Sequence, residues 1–330
     1  AMVKSRYFTK TQEFDGMPKV IDFKIVEEEI DDDLKDKEIL GEAIYISVDP
    51  YTRYAVYYNV PPGAPIIGFQ VIKVTKSKNP KYFVGEKIMV HGGWRTTCKV
   101  DDEQVWYKVD KISGIDTSVF VGALGMPGMT AYCGFLEICQ PKEGETVFVN
   151  GCAGAVGNLV GQIAKIKGCK VIGCCGSDEK IKFAKSIGFD DVFNYKTCKD
   201  YPGILKKMAP NGVDCFFDNV GGRMSTDVLA CMNVGGRISV CGAISAYNSK
   251  TLGQATMVQS YMARKQLLMR GFGVGQFKDK FPEALKHMIQ WIQEGKLKIH
   301  ETTTKGFENT PQAFIDMLSG GNIGKAVVKV

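Results

Sequence analysis

The spacing of apolar residues changes character near residue 146. Before that point, short runs rich in β-branched and aromatic residues, among them residues 44–48, 70–75 and 87–90, are punctuated by Gly and Pro and read as short strands. Beyond it, compact apolar runs alternate with segments of helical period. Residues 146–150 read as a strand and 155–167 as a helix ending at Gly168. Strand 170–174, helix 177–187, strand 191–195, helix 201–208 and strand 213–219 follow, then a helix over 224–232 and a strand over 237–241. A last helix starts near Pro282 and stops at Gly295, with Leu285, Met288, Ile289 and Ile292 spaced for one buried face. Strands alternating with helices of this length predict a parallel, doubly wound sheet. The tail, from about residue 297 to 330, returns to short strands and is expected to fold back onto the first domain.

A chain of 330 residues exceeds one ordinary domain. The pattern therefore predicts an α/β protein in which a β-rich domain, residues 1–121 and 299–330, is interrupted by a doubly wound nucleotide-binding domain, residues 122–298. The net charge of +6 is spread over interleaved lysines and acids, with no basic run to grip a phosphate backbone or an anionic bilayer. Nucleic acid and membrane are thus excluded as expected partners. No apolar stretch has the length of a membrane span, and Met2-Val3-Lys4-Ser5-Arg6-Tyr7 lacks an apolar signal core, so the expected location is cytoplasmic. Eleven cysteines, an odd number in a long chain without a secretion signal, read as reduced thiols, most of them small buried hydrophobes. Cys174 and Cys175 are adjacent inside the apolar run 170–176, which reads as a strand rather than as a redox pair.

The chemistry starts at the first strand of the alternating region. There the chain reads Gly151-Cys152-Ala153-Gly154-Ala155-Val156-Gly157 between a strand and a helix, the context of a dinucleotide-binding turn. Its glycines turn the backbone sharply and let a pyrophosphate approach the helix N-terminus. The spacing is GxxGxxG rather than GxGxxG. The end of the next strand, Gly173-Cys174-Cys175-Gly176-Ser177-Asp178-Glu179-Lys180, lacks the acid that binds a ribose 2′-hydroxyl in NAD sites. Small residues there, with Ser177 and Lys180 nearby, suit an adenosine 2′-phosphate and favour NADPH over NADH. The alternative is that Lys180 is a solvated lysine early in a helix. Two further loops, Asp218-Asn219-Val220-Gly221-Gly222 and Cys241-Gly242-Ala243-Ile244-Ser245-Ala246-Tyr247-Asn248, follow strand ends and are expected to line the cofactor cleft.

Taken together with Ser47-Val48-Asp49-Pro50-Tyr51-Thr52-Arg53, Ala123 to Tyr132, Phe193-Asn194-Tyr195-Lys196 and Asn322-Ile323-Gly324-Lys325, these motifs resemble the prostaglandin reductase and alkenal double-bond reductase branch of the zinc-independent medium-chain dehydrogenase/reductase family. The similarity runs from about Lys4 to the C-terminus in the family's order. The resemblance implies a GroES-like catalytic domain beside a Rossmann domain, a homodimer, and NADPH-dependent reduction of an enone or enal of the 15-oxo-prostaglandin or 2-alkenal type. It implies Lys180 and Tyr195 at the adenosine phosphate and ribose, and Asn219 near the cofactor. It also places Cys241, Gly242, Ala243, Ile244, Ser245 and Tyr247 along the nicotinamide half, Phe272 and Val274 beneath the ring, Asn322 closing the site, and Tyr51 lining the substrate pocket. Three departures stand out. Gly151 and Cys152 occupy positions where many relatives have alanines, Gly273 interrupts a Phe-Val-Val pattern, and residues 247–265 match poorly.

Zinc-dependent relatives need Cys and His ligands and a four-Cys lobe. This chain has three histidines, His91, His287 and His300, and no clustered CxxC spacing, so no metal is expected. Gly68-Phe69-Gln70 corresponds to their Gly-His-Glu, and their first ligand cysteine falls near Asp49-Pro50-Tyr51. Without a Lewis acid, a conjugated carbonyl is the better hydride acceptor, since charge arriving at its β-carbon spreads to an enolate that needs only hydrogen-bond donors. Tyr247 and the nicotinamide ribose hydroxyl are the expected donors, although Tyr247 also fits a structural tyrosine on a loop. Tyr51, Tyr54 and Tyr57 fit either an apolar pocket wall or packing between domains. Competing functions are quinone reduction, oxidation of a lipid alcohol such as leukotriene B4 with NADP, and quiet NADPH binding without turnover.

Overall fold

The computed structural model describes residues 1–53, 60–251 and 253–330. Tyr54 and Tyr57 lie outside the described residues, as does Leu252. The chain divides into two compact units, one of Ala1–Gly125, Glu301–Asn322 and Ala326–Val330, the other of Met126–His300 and Ile323–Lys325.

The first unit is built from strands. β1 (Met2–Lys10) and β2 (Phe23–Asp31) form an antiparallel hairpin in register from Met2 opposite Asp31 to Lys10 opposite Phe23. β3 (Ile39–Ser47), β4 (Gln70–Ser77), β5 (Lys87–Val90), β6 (Thr97–Val100) and β7 (Val105–Lys108) belong to a seven-stranded sheet, which two late strands complete. One face buries the aliphatic set Ile39, Ile72, Val74, Ile88 and Val90. A second core gathers aromatic rings, with Phe8 4.9 Å from Phe307 and Trp94 5.4 Å from Phe314. Such rings bury large apolar area and prefer the tilted and edge-on pairings seen here.

The second unit contains the predicted doubly wound sheet. Its elements are α1 (Met126–Cys139), β8 (Thr146–Asn150), α2 (Gly157–Ile166), β9 (Lys170–Cys175), α3 (Asp178–Ser186), β10 (Asp191–Asn194), α4 (Tyr201–Met208), β11 (Val213–Asp218), α5 (Gly222–Val228), β12 (Met232–Val240), α6 (Gln259–Lys265), β13 (Leu268–Gly271) and α7 (Phe281–Gln293). The strands are parallel in the order β10-β9-β8-β11-β12-β13. Strand order reverses between β8 and β11, the point at which ligands bind beyond the carboxyl ends of such sheets. Every residue of β8 is buried, as expected of a strand covered on both faces.

Several elements differ from the sequence expectation. α1 shows no amphipathic stripe because eleven of its fourteen residues are buried, which hides helical period. β12 starts at Met232, five residues before the predicted strand, because its pairing with β11 slips between Val213 and Cys215 around Gly235 and Gly236. α7 buries Phe281, Ala284, Met288 and Trp291, so the apolar stripe is rotated from the expected one and shares only Met288 with it. The larger rings decide the rotation, Trp291 packing 5.9 Å from Tyr132 on α1. The tail does return to the first unit as β14 (Glu301–Lys305) and β15 (Lys325–Lys329), the latter pairing with β3, but it also contains a helix, α8 (Thr310–Leu318), started by Pro311 and anchored by Phe314. Among the described residues no helix is long and apolar enough to cross a membrane.

Candidate active site

The turn between β8 and α2 is shaped by two glycines. Gly151 has φ +57°, a backbone region costly for other residues, and a β-carbon on Gly157 would collide with the Gly151 carbonyl oxygen. Gly154 differs: a β-carbon there would meet only the Gly151 carbonyl oxygen, at 3.3 Å, and otherwise project into open space. Gly154, Ala155 and Val156 are partly exposed at the start of α2, whose first N–H groups have no partner within the helix. This is the open, electropositive cradle that a pyrophosphate needs. A distant segment steadies it, since the Gly324 N–H donates to the Ala153 carbonyl at 2.8 Å and Gly154 and Gly324 form a parallel bridge. Asn322 precedes that segment by one residue.

The end of β9 supplies the second feature. Ser177 caps α3, its hydroxyl accepting from the Lys180 N–H at 3.3 Å. Gly176 has no side chain, and a β-carbon there would lie 3.2 Å from the Tyr195 ring, 3.0 Å from Lys196 Cε and 3.3 Å from Lys196 Nζ. Lys180 is partly buried; burial, and after it the Lys196 charge, hold its ammonium below the usual lysine pKa range, against the opposing effect of Cys175. Among the described residues no carboxylate bridges Lys180 and Lys196. Lys196 and the Tyr195 ring beside Gly176, with Lys180 close enough to feel the Lys196 charge, form a setting whose cations a dianionic phosphate would relieve. The sequence reading missed Lys196, although it stands within the Phe193-Asn194-Tyr195-Lys196 run.

The ends of β8, β11 and β12 are wired together by a buried polar network. Asn150 Nδ2 donates to Asp218 Oδ1 at 2.7 Å, and that oxygen also accepts from the Val220 and Gly221 N–H groups and the Ser225 hydroxyl. Asn219 is clamped from both sides: its N–H donates to Asn150 Oδ1 at 2.6 Å, and its side-chain amide donates to the Asn150 carbonyl at 2.9 Å. Asn150 is fully buried and was also missed, though a polar residue closing an apolar strand was its visible signal.

The Cys241 to Tyr247 loop is laid along this network. Cys241 and Gly242 donate to the Asp218 carbonyl, Ile244 to that of Asn219 and Ser245 to that of Val220. Ala243 donates its N–H to the Tyr247 phenol oxygen at 3.2 Å, and a β-carbon on Gly242 would approach that oxygen to 2.8 Å. Burial pushes the Cys241 thiol up to about 12, so it stays protonated. Phe272 packs its ring against Gly134 of α1, 6.4 Å from Phe217 and 6.1 Å from Phe277, while Val274 opens the 3₁₀ turn that follows. Gly151, Gly154, Ala155, Val156, Gly157, Ser177, Lys180, Tyr195, Asn219 and residues 241–247 thus all lie at the carboxyl-end loops of one sheet. Tyr51 belongs to the first unit, on the 3₁₀ turn Pro50–Arg53. Phe69 packs its ring 4.7 Å from His91 and 4.6 Å from Trp106. Among the described residues no three His, Cys, Asp or Glu side chains gather as a metal site.

Comparison with known proteins gives a consistent picture. Residues 6–108 match a family model described as the N-terminal domain of oxidoreductase, and residues 155–293 match one described as zinc-binding dehydrogenase. The chain is 43% identical to rabbit (Oryctolagus cuniculus) prostaglandin reductase 1 over 327 residues, covering 98% of this chain and 93% of that protein. It is 42% identical to a Nicotiana tabacum 2-alkenal reductase (NADP(+)-dependent), over 89% of this chain and 87% of the relative. The solved structure of CurA in complex with NADPH from Vibrio vulnificus superimposes with a TM-score of 0.90 at 35% identity, covering 98% of this chain and 99% of that one. With a core, a glycine turn and a near full-length identity that agree, the chain belongs to the prostaglandin reductase and alkenal reductase branch of the medium-chain dehydrogenase/reductase family.

Proposed function

We propose that this protein is an NADPH-dependent reductase of the carbon-carbon double bond of α,β-unsaturated ketones and aldehydes. The observation behind the cofactor choice is Lys196 beside Gly176, with Lys180 near enough for the Lys196 charge to lower its pKa, at the strand end where NAD enzymes place an acid. The substrate class rests on near full-length similarity to reductases of prostaglandins and 2-alkenals.

In this reading the residue 122–298 domain holds NADPH and residues 1–121 and 299–330 form the catalytic domain. The glycine turn and the start of α2 receive the pyrophosphate, and Ser177, Lys180, Tyr195 and Lys196 receive the adenosine 2′-phosphate and ribose. Asn219, the Cys241 to Ser245 loop, Phe272, Val274 and Asn322 hold the nicotinamide half. Bound NADPH supplies the hydride that the substrate's β-carbon accepts. Tyr247, its phenol oxygen already accepting from the Ala243 N–H, donates its own hydrogen to the oxyanion that develops on the substrate carbonyl. Tyr51 lines the substrate pocket.

The working protein is read as a cytoplasmic homodimer of lipid metabolism. β13 is the outermost strand of the parallel sheet and Leu268 on it is 51% exposed, the kind of edge that a second copy covers. The test of the activity is NADPH oxidation with a long-chain enal, an oxo-prostanoid enone and a small quinone, and NADP(+) reduction with a leukotriene-type alcohol. Deuteride from labelled NADPH is expected at the β-carbon of the saturated product. Turnover of the quinone alone, or of none of the four, would replace this reading.

A further inference from the structure

Gly134 stands buried in the interior of α1, where glycine is less favourable than alanine because it leaves the unfolded chain more freedom to lose. Phe272, the residue after β13, accounts for its presence. A β-carbon at position 134 would collide with Phe272 Cζ and lie 2.8 and 2.9 Å from the two Cε atoms of that ring. The ring tip fills the notch that the missing side chain leaves.

This contact has little room to relax. On the helix side, the fully buried Ser239 of β12 donates its hydroxyl hydrogen to the Gly134 carbonyl at 2.8 Å, which pins this turn of α1 to the sheet. On the ring side, Phe217 of β11 lies 6.4 Å from the Phe272 centroid and Phe277 lies 6.1 Å from it, both of them buried. Phe272 itself is partly exposed. It follows the end of β13 as the Cys241 loop follows the end of the parallel neighbour β12, so the side left open to the ring is the one beyond the strand ends.

We infer that Gly134 is a positioning residue, which sets the depth at which Phe272 sits and thereby the room for the nicotinamide ring. The inference rests on the reading above, in which Phe272 lies beneath the nicotinamide. A methyl group at 134 drives the Phe272 ring outward into that room, because neither the pinned helix nor the flanking phenylalanines yield to it. The effect is confined to one half of the cofactor. Lys180 and Lys196 follow β9 and β10, which lie across the switch point from β13 in the order β10-β9-β8-β11-β12-β13. The three ring atoms that the methyl would meet, Cζ and the two Cε, are also the atoms that a leucine at 272 lacks. The sign of a substitution at 134 therefore depends on the residue at 272.

The experiment compares the full chain with Gly134→Ala, Phe272→Leu and the double variant, reading Tm, the Kd of NADPH and of adenosine 2′,5′-bisphosphate, and kcat on a long-chain enal at saturating NADPH. Gly134→Ala is expected to lower Tm and kcat and to raise the NADPH Kd about tenfold or more, with the bisphosphate Kd held within about twofold. In the Phe272→Leu background the same change is expected to raise Tm, since the methyl fills space and alanine favours the helix, and to weaken NADPH no further. If Gly134→Ala alone does not fold, the other two variants carry the test: Phe272→Leu must weaken NADPH and spare the bisphosphate, and the double variant must fold and bind both as Phe272→Leu does. An NADPH Kd unchanged by Gly134→Ala, equal losses of both ligands, or a Tm that falls in both backgrounds overturns the inference. A wild-type chain that does not bind NADPH overturns the functional reading instead, while the reversal in Tm still reports on the packing of Phe272 against Gly134.

Discussion

The Tyr247 phenol oxygen accepts the Ala243 N–H at 3.2 Å and stands over Gly242, where a β-carbon would approach it to 2.8 Å. Backbone and glycine together hold the hydroxyl in one place. Tyr247→Phe is therefore expected to lower kcat on an enone about 10²-fold, the usual cost of one oxyanion donor, with KM for NADPH little changed. Gly242→Ala displaces the same phenol while leaving it in the chain, and is expected to lower kcat in parallel. Steady-state kinetics decide it, and an unchanged kcat in Tyr247→Phe removes the phenol from the reaction.

Lys180 and Lys196 act on the same phosphate in this account. Lys180→Ala and Lys196→Ala are each expected to raise KM for NADPH about tenfold and leave KM for NADH almost unchanged, since a charged hydrogen bond contributes about 1.5–3 kcal/mol. Equal rises for both nucleotides would sink the 2′-phosphate assignment.

The pH dependence follows from the lowered pKa of Lys180, caused by burial and then by Lys196. A lysine with a depressed pKa loses its charge at a lower pH than an exposed one, so attraction for the dianion is complete at neutral pH and declines as pH rises toward the ordinary lysine value of about 10.4. KM for NADPH should climb across that alkaline range while KM for NADH stays flat. The ratio of the two, measured from neutral pH upward, is the readout.

Gly157 and Gly154 separate folding from binding. A β-carbon on Gly157 meets the turn's own backbone, whereas one on Gly154 meets little of the protein. Gly157→Ala is expected to lower both Tm and NADPH affinity. Gly154→Ala should leave Tm within a degree or two, since surface changes away from strain cost about 0.5 kcal/mol or less, yet weaken NADPH if the methyl projects into the pyrophosphate site proposed above.

At the opposite end of the sheet, Arg237 ties three segments together. It donates to the Cys139 carbonyl at 2.7 Å, to Glu145 Oε1 at 3.0 Å and to the Gln140 carbonyl at 3.2 Å, with less than a fifth of either charged side chain exposed. Arg237→Ala leaves Glu145 without its counter-ion and is expected to cost about 3 kcal/mol. Denaturant melts should show a lower midpoint at an unchanged slope, with kcat unaffected.

Much of this was legible in the residues. The alternation of strand and helix after residue 146 specified the doubly wound sheet, because a parallel strand needs a crossover helix and both leave their period in the chain. The glycine turn was legible for the same local reason, as only glycine adopts the φ of Gly151 freely and only glycine fits at 157. Lys180 was picked out in the sequence because it lies within one helical turn of a strand end. Lys196 was not singled out, since its place beside Gly176 comes from the pairing of β10 with β9 rather than from any local pattern.

The sequence by itself determined the order of elements, the glycine turn and the chemical type of the cofactor site, since each depends on residues a few positions apart. Tertiary structure alone decided which distant groups meet: the Asn150 amide with Asp218, the Gly324 N–H with the Ala153 carbonyl, and Lys196 with Gly176. The physical reason is that local conformation is written in propensity and period. Contacts between elements depend on strand order and on the alternation of faces, which send neighbours in sequence to opposite sides of a sheet.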